Sequence, residues 1–283
     1  MSPVALLFGF IVGASLGLTG GGGAIFAVPL LVYGLHAPTR EAIGISLAAV
    51  GATALVGFLH RWRLGEVELR TGLLFALAGM LGAPIGSRIA GLLPEHLLML
   101  AFAVLMGVVA WRLWEKASAP VTKPAACSPE TPGSADPACP VETTAGPTCQ
   151  RDAQGALRLT SRCAVLLLLV GVATGLLSGL FGVGGGFVIV PALVLFSSMP
   201  IHRAVGTSLM VIALVSASGL AAQSLGGQAI SWPLTALFVV GGVLGLFAGQ
   251  QLGRRLSGPL LQRVFAVAIV GVACFVVVKN IHV

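Results

Sequence analysis

The sequence predicts an all-α, polytopic membrane protein built as two inverted repeats of about five helical segments each. Three observations lead there: composition, an internal repeat and the placement of basic residues. Of 283 residues, 57% are hydrophobic and only 9% charged, and the mean hydropathy is +1.01. A soluble domain carries roughly 25% charged residues, so this chain lacks the polar surface needed to face water. The net charge of +7 is gathered in a few loops, as membrane topology and anionic headgroups favour. No basic stripe interleaved with aromatics points to nucleic acid.

The repeat emerges when Pro29 is placed over Pro191. "GLTGGGGAIFAVPLLVYGLHAPTREAIGISL" then aligns without a gap on "GLFGVGGGFVIVPALVLFSSMPIHRAVGTSL". Identical pairs include Gly17/Gly179, Gly20/Gly182, Gly22/Gly184, Gly23/Gly185, Pro38/Pro200, Ala42/Ala204, Gly44/Gly206 and Ser46/Ser208. After a one-residue shift, Ala78, Gly82, Gly86 and Ala90 fall opposite Gly241, Gly245, Gly249 and Gly253. A small residue at every fourth position makes a smooth stripe for close helix packing.

Each half divides into five apolar segments. The first half gives about 4–18, 24–35, 41–59, 70–90 and 96–114, and the second about 164–180, 187–198, 204–222, 233–252 and 260–279. The N-terminal "MSPVALLFGF" lacks the basic region of a secretory signal and reads as the first membrane segment. A helix needs about 20 residues to cross the hydrocarbon core, which the last three segments of each half supply. The first two are mostly short and are joined by a glycine-rich tip, Gly20–Gly23 or Gly182–Gly186. That pattern predicts a re-entrant hairpin, or two half-helices meeting near mid-membrane. Residues 1–116 form the first membrane repeat, 117–161 a flexible Pro-rich aqueous linker, and 162–283 the second repeat. The linker, with "KPAACSPETPGSADPACPVETTAGP", has too little apolar surface to fold alone.

Charge orients the segments. Arg61, Arg63 and Arg70 lie in one loop, and Arg112, Lys116, Lys123, Arg151, Arg158 and Arg162 in and around the linker. Two crossings separate them, so the positive-inside rule places both in the cytoplasm. Arg254, Arg255 and Arg263 lie inside by the same rule, and the uncharged loop at 223–232 outside. The third segments of the two halves then run in opposite directions, the inverted layout of many secondary transporters. The competing layout, one broken crossing per short pair, makes the halves parallel and puts Arg254 and Arg255 outside.

Non-helical backbone at membrane depth must be buried in protein or line a wet cavity. The glycines at Gly20, Gly21, Gly22, Gly23, Gly182, Gly184, Gly185 and Gly186 would let a small anion reach unpaired N–H groups at the start of the following helices. The bland alternative is that they only permit tight helix crossing. Ser46, Ser208 and Thr207 sit early in long helices, and Thr19 and Ser178 flank the tips. Each hydroxyl could donate to an oxyanion or bond its own helix carbonyl. Arg40 and Arg203 could draw anions to an entrance or contact headgroups. His36 and His202 are loop residues without a sequence-level role. No Asp or Glu stands mid-span, which disfavours a cation pump. No catalytic constellation or cofactor motif appears, so an enzyme is not expected. Cys127, Cys139 and Cys149 lack CxxC spacing, while Cys163 and Cys274 read as packing residues.

The paired glycine and proline elements, followed by "REAIGISL" and "HRAVGTSL", resemble the TauE/SafE sulfite exporter family of bacterial membrane permeases. The resemblance covers nearly the whole chain apart from the linker. It implies a multi-helix permease of the cell inner membrane that moves sulfite, sulfonates or related organic anions. The matching positions are Gly20, Gly22, Gly23, Pro29, Gly182, Gly184, Gly185, Pro191, Ser46 and Ser208. The expected partners are a small anionic substrate and the lipid bilayer, with a homodimer open as the assembly, no cofactor, no metal and no nucleic acid. Two other readings are a scaffold or sulfur-relay partner acting through the linker cysteines, and a passive anion channel.

Overall fold

The computed structural model describes residues 3–118, 161–186, 189–190, 193, 201–225, 231–253 and 271. The expected segments at 187–198 (in the main) and 260–279, the basic residues Arg254, Arg255 and Arg263, and Cys127, Cys139, Cys149 and Cys274 lie outside the described residues. All regular structure among the described residues is helical. The elements are α1 (Pro3–Thr19), α2 (the irregular segment Gly22–Gly34), α3 (Thr39–Arg63), α4 (Leu69–Leu92), α5 (Glu95–Ser118), α6 (Ser161–Phe181), α7 (Ile201–Leu225) and α8 (Trp232–Gly253). Among them α3, α4, α7 and α8 are long and apolar enough to cross a membrane.

Local chemistry sets the boundaries. Helix α3 starts after Pro38, with Glu41 in its first turn and His60, Arg61 and Arg63 in its last. Both placements complement the helix dipole. It stops at Gly65, whose left-handed φ of 72° lets its N–H and that of Glu66 bond back to Trp62 and Arg61 carbonyls. Segment α2 is not a regular helix. It opens as a 3-10 turn at Gly22–Phe26, passes through one α-turn at Ala27–Pro29 and widens to a π-turn at Leu30–Gly34. Pro29, which has no N–H to donate, stands at the junction.

The halves are interlocked. Helix α1 packs on α8, α6 on α4, and α3 on α7, so each of these main pairs joins one half to the other. Gly9, Gly13 and Gly17 of α1 face Phe238, Gly242 and Leu246 of α8, numbers rising together, so these helices run parallel. Gly171, Gly175 and Gly179 of α6 meet Phe75, Gly79 and Ala83 of α4 in the same sense. At most of these positions a Cβ would collide with a facing carbonyl oxygen. The stripe on α4 thus receives the backbone of α6, and that on α8 the backbone of α1. Helices α3 and α7 instead run antiparallel, with Leu47 against Gly219, Gly51 against Ser216 and Gly57 against Leu209.

Helices α3 and α7 form the centre, with 61% and 72% of their apolar windows buried against 44% for α4 and 39% for α8. The flanking helices turn Leu73, Leu77, Leu81, Ile85, Leu168, Leu169, Val240, Leu244 and Phe247 outward, a surface suited to lipid. Pro84 inside α4 removes a donor to the Met80 carbonyl. Ser218 of α7 supplies the replacement, donating to Met80 O over 2.9 Å.

Candidate functional site

Both glycine tips are buried, and they touch: Gly21 lies backbone to backbone against Gly186. Gly184 sits beside Val50 and Ile212, near the midpoints of α3 and α7. The tips therefore meet at mid-depth between the two central helices. Each begins the same way. Gly20 and Gly182 have φ of 75° and 69°, and their N–H groups close the preceding helix by donating to Leu16 O and Ser178 O, both at 2.8 Å. Only glycine takes this conformation at low cost.

The hydroxyls expected at the site divide into two groups. Ser46 Oγ donates to Gly182 O, and Ser208 Oγ lies the same 2.6 Å from Gly20 O, with Val205 O a second acceptor at 2.8 Å. Each central helix thus holds the other half's tip by its carbonyl, a role neither sequence alternative described. Thr19 Oγ1 donates to Ser15 O at 2.7 Å and accepts the Gly22 N–H at 3.0 Å, capping the first tip. Thr207 Oγ1 accepts the Glu68 N–H at 3.0 Å. Ser178 is different: its Oγ is buried and has no partner among the described residues.

Sequence reasoning passed over Ser216, whose buried Oγ also lacks a partner there. It points at the second tip, 3.3 Å from where a Cβ of Gly184 would stand. The available signal was a mismatch in the repeat, since the position paired with Ser216 is Ala54.

A cleft of ≈ 270 Å³ opens at one end of the bundle, lined by Arg40, Ile43, Ser87, Arg88, Ala90, Gly91, Ala222 and Gln223. Its wall residue Ile43 is also the residue packed against Gly182. Arg40 Nη2 donates to Gly91 O at 3.0 Å; Gln223 is 7% exposed, with its Oε1 unpartnered among the described residues. At the opposite ends of α3 and α7, the loop before α4 closes over the start of α7. Arg61 pairs with Glu66 at 2.8 Å, and Glu66 packs on Gly206. Arg203 and His36 are not brought to the tips, and no cluster that could hold a metal ion occurs among the described residues.

An all-helical bundle with membrane-length helices, an apolar rim and two uncharged glycine tips meeting at mid-depth belongs to the class of membrane transport proteins. Comparison with known proteins agrees. The family model described as Sulfite exporter TauE/SafE matches residues 5–276, and the chain belongs to that family. It is 35% identical over 281 residues to a probable membrane transporter protein of Xylella fastidiosa (strain 9a5c), covering 96% of this chain and 93% of the relative. It is 26% identical to the probable membrane transporter protein YunE of Bacillus subtilis (strain 168), covering 98% of each. No solved structure matches. The protein is a membrane transporter.

Proposed function

We propose that this chain is a secondary transporter of small sulfur-containing anions, sulfite or sulfonates, that works by alternating access at the meeting point of the tips. One observation carries the reading: two glycine tips without charged side chains converge at mid-depth between antiparallel α3 and α7. At the second tip the left-handed glycines Gly184 and Gly185 put no side chain between the backbone and a small anion. The family description supports the substrate class.

The opposed course of α3 and α7, with the reciprocal pairing of α1 with α8 and α6 with α4, supports inverted repeats related across the membrane plane. In that frame the Arg40 and Arg88 cleft is the outer approach, and the Arg61 and Glu66 loop closes the cytoplasmic side. The linker is then cytoplasmic and the membrane is the inner one. Parting α3 from α7 at one end and then the other exposes the tips alternately. Energy comes from an ion gradient or the membrane potential.

The test is uptake of labelled sulfite into proteoliposomes. The wild-type chain accumulates sulfite against its electrochemical gradient, which a passive channel does not. Gly185→Ala, at a φ of 66° with Thr174 O 3.0 Å from its Cβ position, sharply lowers uptake while the protein still elutes as a single folded species. Unchanged uptake in that variant refutes the site. Replacing Cys127, Cys139 and Cys149 with Ser leaves uptake intact; its loss would instead favour the sulfur-relay reading.

A further inference from the structure

The repeat makes the frame symmetric, but the polar groups around the two tips are not. Aligned by the repeat, Ser178, Ser216 and Thr174 of the second half stand where the first has Leu16, Ala54 and Val12. The serines flank the Gly184–Gly185 turn from two helices. Ser178 on α6 has its Cβ 3.6 Å from the Cβ position of Gly185, and Ser216 on α7 has its Oγ 3.3 Å from that of Gly184. Both are 0% exposed, and both hydroxyls lack partners among the described residues. Helical serines ordinarily bond the carbonyl three or four residues back, as Ser15 does to Ile11 O at 2.8 Å and Ser224 to Ala221 O at 2.9 Å. Ser178 and Ser216 do not. Thr174 does, donating within its own helix, and so is not available in the same way.

We infer that the anion site is one-sided, built on the second tip, with Ser178 and Ser216 donating to the oxygens of an oxyanion such as an –SO3⁻ group. A hydroxyl kept free in an apolar interior fits a ligand that arrives with acceptors. Two donors from different helices, beside glycine N–H groups in a left-handed turn, match the several oxygens of a sulfur oxyanion better than a single-atom halide. This rests on the transporter reading above and deepens it.

The experiment is equilibrium binding of labelled sulfite to the full chain in nanodiscs, with ligand-free thermal stability measured in parallel. Ser178→Ala and Ser216→Ala each weaken sulfite binding by about tenfold, the scale of a hydrogen bond to a charged group. The ligand-free Tm stays level or rises, because an unpaired buried hydroxyl is removed. Ser216→Cys, close in size but a weak donor, repeats the test if Ser216→Ala yields less folded protein. Unchanged affinity in both variants overturns this inference and leaves the transporter reading standing. A fall in ligand-free Tm with unchanged affinity assigns the hydroxyls to structure and likewise overturns it. A wild-type chain that binds none of sulfite, sulfate, thiosulfate, sulfoacetate or acetate overturns both.

Discussion

The two glycine tips start alike and end differently. At Gly20 and Gly182 the backbone turns left-handed, the N–H closes the preceding helix, and a serine from the other half holds the carbonyl at 2.6 Å. Then they part. The first tip is capped by Thr19 and winds at once into the 3-10 turn at Gly22. In the second, the position of Thr19 is taken by Phe181, which packs on Phe102 with ring centroids 5.5 Å apart. Without that cap the chain continues through two more left-handed glycines, Gly184 and Gly185 at 68° and 66°. The lesson is a division of labour. The hinge glycines and the serines that hold them match in both copies, while the cap belongs to the first tip and the unpartnered hydroxyls to the second.

The comparison can be broken or sharpened by substitution. The largest effect belongs to the interlocking stripes. Gly13→Leu and Gly175→Leu push a side chain into the backbone of Gly242 and Gly79, and neither variant should give a monodisperse peak on size exclusion in detergent. If one half tolerates the change, the reciprocal packing is not equally needed.

Next come the tip hinges. Gly182→Ala meets Ile43, with Cα at 2.9 Å and O at 3.0 Å, and Gly20→Ala meets Val205, with Cγ1 at 2.6 Å and Cβ at 2.9 Å. Both carry left-handed strain of about 1–2 kcal/mol. Both also overpack, so each should lose about 1–3 kcal/mol beyond that strain, read from thermal unfolding. A loss confined to one variant would mean that the central helix facing the other tip moves aside.

Ser46→Ala and Ser208→Ala each leave a buried tip carbonyl without its donor, a cost of about 1–3 kcal/mol. The symmetric frame predicts matching Tm losses. A loss confined to one variant would show that only one clasp is closed in the membrane. The smallest effect is at Gly65→Ala. Its φ is 72° and nothing lies within 4 Å of the Cβ position, so strain of about 1 kcal/mol is the whole cost, read as a small fall in Tm.

Much of the fold was legible because its determinants are local. Apolar runs set α3, α4, α7 and α8 to within a few residues of where they lie, and Gly65 and Pro38 mark real boundaries. The stripes Gly82/Gly86 and Gly245/Gly249 were readable as packing surfaces, but not their recipients, since α6 and α1 come from the opposite halves. The candidate site was legible in its glycines and only partly in its hydroxyls. Ser46, Ser208 and Thr207 read as free donors or self-bonded helix residues; Ser208 does reach its own helix at Val205 O, but all three also bond across 136, 188 and 139 residues of sequence.

By itself the sequence determined a membrane-embedded, duplicated helical chain with glycine breaks at matched positions, because hydropathy, repeat and backbone freedom are properties of short stretches. Tertiary structure alone decided that the tips touch at mid-depth, that Ser46 and Ser208 are occupied, and that Ser178 and Ser216 stand without partners among the described residues. A hydroxyl's partner is fixed by what packing brings within 3 Å, and no local pattern carries that information.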